Sequence, residues 1–133
     1  YEREGLAYVY FIYGMYYFMN VATEPEGTAS AVLLRGVEMV SGQEEAARLR
    51  YGKEYKELTK KQMVNFSNGP GKLCKAMAIT KEQNYVDLCG EAFFITDRFE
   101  GCEDKEAEIA TSPRSGIDYA EEAKDFPWRF YVK

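Results

Sequence analysis

The chain has 133 residues, 46% hydrophobic and 29% charged, with a formal net charge of −5, the balance of a single globular domain large enough to bury a core. It contains no histidine, and its three cysteines, Cys74, Cys89 and Cys102, form no C-x-x-C pair. Histidine-based catalysis by these residues is excluded, no metal site is expected, the thiols read as reduced cysteines of a cytosolic protein, and no apolar run is long enough to span a bilayer.

In chain order, residues 7–13 are aromatic and β-branched and predict a strand. Gly14 supplies turn geometry and residues 15–23 predict a second strand, so the two form a hairpin with its tip near Tyr13, Gly14 and Met15. Glu24-Pro25-Glu26-Gly27 is a loop. Residues 31–40 predict a third strand, whose apolar Val32, Leu33, Leu34 and Val37 imply burial on both faces. Residues 43–50 predict a short helix, and Thr59 caps a second that runs through about Asn65. Asn68-Gly69-Pro70-Gly71 is a turn opening a third helix over residues 72–78, with Pro70 near its start. Residues 80–84 form a polar connection, 92–96 a short strand, and 98–111 a charged surface loop or edge element. Residues 119–124 predict a helical turn or two, stopped by Pro127, and residues 129–132 a closing strand. Strands and helices mix without βαβ alternation, which predicts an α+β fold in one domain over residues 1–133.

Charge is unevenly spread. Residues 1–47 carry 2 basic and 7 acidic groups, residues 48–81 carry 9 basic and 2 acidic, and residues 82–133 carry 6 basic and 13 acidic. The basic middle, from Arg48 to Lys81, forms either one positive face turned to phosphates or a solvated helical surface. The hairpin tip Tyr13-Gly14-Met15-Tyr16 is bulky for a solvent-exposed turn. Such a tip either packs on a sheet or neighbour, or wedges between bases from the minor groove.

Four motifs settle what these features resemble. They are Ala7-Tyr8-Val9-Tyr10-Phe11-Ile12-Tyr13-Gly14-Met15-Tyr16 with Asn20 seven residues after Tyr13; Ala31-Val32-Leu33-Leu34-Arg35-Gly36-Val37-Glu38; Asn68-Gly69-Pro70-Gly71-Lys72-Leu73-Cys74; and the tail from Tyr119 to Tyr131. In this order they resemble the alkyladenine (3-methyladenine) DNA glycosylases over nearly the whole chain. The resemblance implies a curved, partly open antiparallel sheet with surrounding helices and a protruding β-hairpin, similar to the formyltransferase C-terminal-domain-like fold. It implies a monofunctional base-excision repair enzyme that flips alkylated or deaminated purines, such as 3-methyladenine and hypoxanthine, out of double-stranded DNA. An activated water then hydrolyses the N-glycosidic bond, with no cofactor, no metal and no Schiff-base lysine. A monomer is expected, cytoplasmic and nucleoid-associated in a bacterium or nuclear in a eukaryote, with no membrane partner.

The resemblance also assigns roles. Tyr10 is expected to stack on the flipped base, where an electron-rich ring suits a cationic purine. Tyr13 is expected to be the wedge that fills the vacated duplex position, with Gly14, Met15 and Tyr16 beside it on the DNA. Asn20 is expected to exclude guanine by collision with its 2-amino group. Arg35 is expected to border the catalytic water and its carboxylate; an ion pair with Glu38 is the structural alternative. Lys72 and Lys81 are expected to contact the DNA backbone, Lys72 from a helix start.

Two departures stand out. The glutamate that serves the family as general base lies in a motif upstream of the hairpin, and that motif is absent from these residues. Glu24, Glu26 and Glu38 do not stand in its context. The chain therefore reads as N-terminally truncated, and two further readings stay open: a non-catalytic fragment that binds damaged DNA, and an RNA-associated accessory domain of the kind that follows formyltransferase domains. The second departure is Ser115 within Ser112-Pro113-Arg114-Ser115-Gly116-Ile117, where the family has a compact arginine-glycine turn.

Overall fold

A computed structural model describes residues 4–12, 14–25, 30–96, 109–113 and 129–132. The chain divides into two compact units, Tyr1–Thr96 and Asp97–Lys133. The first is α+β: an open three-stranded antiparallel sheet of order β1-β2-β3, with three short helices.

β1 is Ala7–Ile12 and β2 is Tyr16–Ala22. Their register runs from Ala7 opposite Val21 to Ile12 opposite Tyr16, so three residues form the hairpin loop. The Met15 N–H closes it onto the Ile12 carbonyl at 3.2 Å. Gly14 sits there at φ +66° with nothing within 4 Å of where a Cβ would lie. Glycine is used at this turn for its backbone freedom rather than for lack of room.

β3 is only Ala31–Leu33, paired with residues 20–22 of β2. The expected strand over residues 31–40 is thus cut to three residues, and Val32 is exposed rather than buried on both faces. After Leu34 gives its N–H to the Met19 carbonyl (3.0 Å), the chain leaves the sheet, and the Val37 N–H bonds to the Ser67 carbonyl (3.1 Å). An apolar run does not distinguish a buried strand from a segment that packs irregularly on its neighbours. The other edge of β1 is covered by residues 84–88. Tyr85 N–H bonds to the Ala7 carbonyl, Ala7 N–H to the Val86 carbonyl, and Val9 N–H to Asn84 Oδ1, all within 2.8–2.9 Å.

The helices are α1, Gln43–Tyr51; α2, Lys60–Val64; and α3, Pro70–Ala76. Thr59 caps α2 in a reciprocal box with Gln62, as its sequence position predicts. Pro70 occupies the start of α3, where its missing N–H costs nothing. Short 310 turns at Tyr55–Glu57 and Lys81–Gln83 complete the unit. The strand expected over residues 92–96 does not form; the Ile95 N–H reaches back to the Leu88 carbonyl.

α3 joins two apolar clusters. Leu73 and Cys74 pack with Ala7, Val9, Met19, Ile79 and Leu88 under the sheet. Ala76 packs with Ala46, Ala47, Leu58 and Phe66. In the second unit, β4 (Ile109–Ser112) pairs antiparallel with β5 (Arg129–Val132), which meets the expected closing strand. The expected helical turn at residues 119–124 lies outside the described residues, as do residues 114–117 of the arginine-glycine turn. No helix among the described residues is long and apolar enough to cross a membrane.

Candidate functional site

Side chains alternate along a strand and directly paired residues share a face. The register therefore sorts the hairpin. Ala7, Val9, Met19 and Val21 face α3, and the first three are no more than 5% exposed. Tyr8, Tyr10, Ile12, Phe18, Asn20 and Leu33 face the other way, while Tyr16, at the hairpin end, lies against the start of α3. Tyr8 and Tyr10 on that outer face are 40% and 36% exposed.

Tyr10 and Asn20 are thus brought to one surface. Asn20 is opposite Tyr8 and Leu33, and Tyr10 is opposite Phe18, two residues along β2 from Asn20. The Tyr10 and Phe18 rings meet edge-on at 5.9 Å. Asn20 is half-buried, and no hydrogen bond of its carboxamide occurs among the described residues, which leaves the amide open to solvent. An aromatic floor with one uncommitted amide can stack a planar ring and read the polar edge of that ring.

The outer face includes a residue that sequence reasoning placed just beyond a polar connection. Tyr85 is 52% exposed and meets Tyr8 edge-on at 5.8 Å. Its backbone is left-handed, φ +67°, a conformation that bulky residues rarely adopt. The bonds of Asn84, Tyr85 and Val86 to β1 hold it there. Positive φ at a tyrosine leaves no mark in sequence, so no signal was available to find it.

At the hairpin end, Gly14 and Met15 are exposed at the turn. Tyr13 lies outside the described residues. Tyr16 packs directly on the start of α3: a Cβ at Gly71 would stand 2.8 Å from its ring. That contact requires glycine and sets Lys72, the next residue, beside the hairpin. The Lys72 ammonium lies 3.2 Å from Asn68 Oδ1 and 3.4 Å from Asn65 Oδ1. Lys81 stands apart from it, exposed at the start of the 310 turn that follows the Thr80 cap.

Arg35 is half-buried in the segment that leaves β3. Its backbone is fixed on both sides, by Leu34 to Met19 and by Val37 to Ser67, and Ser67 Oγ also donates to the Val37 carbonyl at 2.5 Å. Among the described residues Arg35 makes no ion pair, so the pairing with Glu38 does not occur; Glu38 is exposed. Arg50, by contrast, is fully engaged. It donates to the Phe66 and Asn65 carbonyls and to the Tyr51 hydroxyl, and lies over the Tyr51 ring. One member of the basic middle is therefore a structural clamp. Lys56 pairs at the surface with Glu54.

Beneath the sheet, burial pushes the Cys74 thiol up to about 11, against a smaller lowering from its bond to the Met19 backbone. A thiol in that state is a packing group and not a nucleophile.

Comparison with known proteins accords with this arrangement. The family model described as methylpurine-DNA glycosylase (MPG) matches residues 1–133. A protein of Alkaliphilus oremlandii named "Putative 3-methyladenine DNA glycosylase" is 56% identical over 130 residues, 97% of this chain and 62% of its own length. Proteins of the same name from Clostridium novyi and Clostridium acetobutylicum are 50% and 49% identical over 133 residues, 64% and 63% of their lengths. The chain thus spans under two thirds of these relatives, and its whole length falls within the match. It belongs to the methylpurine-DNA glycosylase family.

Proposed function

We propose that the outer face of the β1–β2 hairpin is the lesion-reading surface of a monofunctional purine DNA glycosylase acting on alkylated or deaminated bases in double-stranded DNA. The observation that carries this reading is the convergence of Tyr10 and Asn20 on one aromatic face. A flipped purine stacks on Tyr10, a contact that alkylation strengthens by adding positive charge to the base. Asn20 presents its amide to the base edge and leaves no room for the 2-amino group of guanine. Tyr13, carried between Ile12 and Gly14, fills the vacated stack, with Gly14, Met15 and Tyr16 along the groove. Lys72 and Lys81 neutralise backbone phosphates.

Hydrolysis transfers water oxygen to the sugar C1′ while the C1′–N9 bond breaks and its electron pair leaves with the purine. A carboxylate must take the water proton. Glu24 and Glu38 are exposed on loops outside the three strands, and Glu26 lies outside the described residues. We assign this step to a glutamate beyond residues 1–133, in keeping with the greater length of the relatives. Arg35, held at its backbone and without an ion pair among the described residues, orients that carboxylate and the water.

The test is release of free hypoxanthine from a duplex, followed by alkaline cleavage of the abasic product. Residues 1–133 alone should bind the lesion duplex yet release base at background, since losing general-base catalysis costs about 10²–10⁴-fold. A chain extended by the relatives' upstream portion should excise it, and Asn20→Ser in that chain should begin to release guanine. Full activity from residues 1–133 alone would return the search for the base to Glu24, Glu26 and Glu38. Unchanged selectivity in Asn20→Ser would remove Asn20 as the gate. The same assay decides for the non-catalytic damaged-DNA-binding reading if neither chain releases base.

A further inference from the structure

Lys72 is held by uncharged groups on both sides. Asn65 follows α2, and its amide is fixed in turn: Nδ2 donates to the Lys61 carbonyl at 2.9 Å, which leaves Oδ1 for the Lys72 ammonium at 3.4 Å. Asn68, four residues before Lys72, offers its Oδ1 at 3.2 Å. The Asn68 backbone passes beside Gly36, where an added Cβ would lie 3.5 Å from the Asn68 Cα. The lysine stem runs beside Gly69, where an added Cβ would lie 3.6–3.9 Å from its methylenes.

Two of the three ammonium donors are therefore committed to amide oxygens and one is left over. No carboxylate among the described residues pairs with Lys72, so its charge is localised without being neutralised. Lys56 shows the ordinary surface alternative, an exposed ammonium beside Glu54. An aspartate at position 65 or 68 would hold Lys72 more tightly but cancel its charge; asparagine holds it and leaves the charge in place. Tyr16 on Gly71 sets this corner against the hairpin.

We propose that Asn65 and Asn68 are positioning residues that keep Lys72 as an aimed, uncompensated cation for one phosphate of a DNA backbone. The inference rests on the DNA-binding reading above. The amides order the long side chain during folding, so that ordering is not lost from the binding free energy.

The test is the salt dependence of affinity for an undamaged duplex, measured on the full chain with the melting temperature of each variant alongside. Each phosphate neutralised contributes about −0.9 to the slope of log affinity against log salt. Lys72→Ala should flatten the slope by about one. Asn68→Asp and Asn65→Asp should flatten it equally although Lys72 is still present, and adding Lys72→Ala to either should cause no further flattening. Asn68→Ala, which removes the amide and adds no charge, should keep the slope and weaken binding roughly threefold to tenfold at every salt concentration. A merely structural role for the amides moves the melting temperature and leaves the slope alone. If Lys72→Ala flattens the slope and the aspartate variants do not, the positioning role is overturned and the DNA-binding reading stands. An unchanged slope in Lys72→Ala itself overturns both. Should an aspartate variant melt early, Asn68→Ala decides: wild-type affinity there removes the positioning role.

Discussion

The two faces of the β1–β2 hairpin are built from alternate residues of the same thirteen, yet they have opposite characters. The inner face is sealed at Ala7, Val9 and Met19 by Leu73 and Cys74 of α3, with the Phe11 and Tyr17 rings in contact nearer the turn. Its sealed side chains differ in size, and the one thiol among them is kept protonated by burial. The outer face is Tyr8, Tyr10 and Phe18 around Asn20, with Tyr85 leaning onto Tyr8. Tyr8, Tyr10 and Tyr85 on it are each more than a third exposed. Stability needs apolar groups sealed from water, whereas recognition of a flat ring needs them open to it. In the proposed function one strand pair serves both, because its period of two separates the tasks residue by residue.

The comparison breaks most visibly under a pair of truncations. Met19→Ala empties a sealed position and should cost about 2–5 kcal/mol of stability. Tyr10→Ala removes a half-open ring and should leave the melting temperature nearly in place. Lesion-duplex affinity should fall roughly tenfold or more in Tyr10→Ala, at about 1–3 kcal/mol per stacked base. Urea denaturation and lesion-duplex titration on both variants check the crossed pattern. A Tyr10→Ala protein as unstable as Met19→Ala would make the outer face a second core.

Cys74 sharpens the contrast through pH. Its folded pKa of about 11 lies above the unfolded value near 9.0. The folded state thus favours the protonated thiol, so the stabilisation is complete below pH 9 and is lost as pH rises through 11. A two-unit shift corresponds to about 2–3 kcal/mol. Since tyrosines and lysines titrate in the same range, the measurement is a difference. The stability gap between wild type and Cys74→Ala should narrow by that amount between pH 8.5 and pH 11, values chosen to bracket the window. In native protein at neutral pH, exposed Cys89 should react with a thiol reagent while Cys74 resists. A gap independent of pH would mean water reaches beneath the sheet.

Gly71 tests the seam between the hairpin and α3. Its missing side chain lets the Tyr16 ring approach to where a Cβ would be 2.8 Å away. Gly71→Ala should displace Tyr16 and destabilise the chain by about 1–3 kcal/mol, the usual cost of overpacking. It should also weaken duplex binding, because Lys72 and the hairpin move apart. Loss of stability with unaltered binding would show that the seam serves the fold alone.

How far these features could be read in advance depended on whether they are local. The hairpin, the Thr59 cap and the Pro70 helix start follow from neighbouring residues, and all three were legible to within a residue or two. The strand over residues 31–40 was overextended because what ends it, the bond from Val37 to Ser67, comes from thirty residues away. The strand over residues 92–96 failed for a related reason: β-branched and aromatic residues need a partner strand, and no strand among the described residues pairs with these. For the candidate site, Tyr10, Asn20, Arg35 and Lys72 are proposed from motifs. Their relation to one another came from the register and from the α2–α3 corner. The amides of Asn65 and Asn68 carried no signal as a pair until the turn brought them to one ammonium.

Tyr85 gives the smallest expected effect and the finest division between the faces. Relief of its left-handed backbone in Tyr85→Gly is worth about 1–2 kcal/mol to the folded state. Against this stand the added freedom of glycine in the unfolded chain, about 0.5–1 kcal/mol, and the lost edge-on contact with Tyr8, about 0.5–1.5 kcal/mol. These nearly cancel, so thermal unfolding should shift by only a few degrees in either direction. A residue kept for packing would not sit at such a balance, because a smaller, unstrained residue would do as well. A residue kept to extend the aromatic face would, and its removal should then weaken lesion-duplex binding several-fold while affinity for undamaged duplex holds. Paired melting and titration of Tyr85→Gly separate the two. A drop in stability of more than about 2 kcal/mol with lesion affinity intact would place Tyr85 with Met19 on the packing side, and the open aromatic face would end at Tyr8.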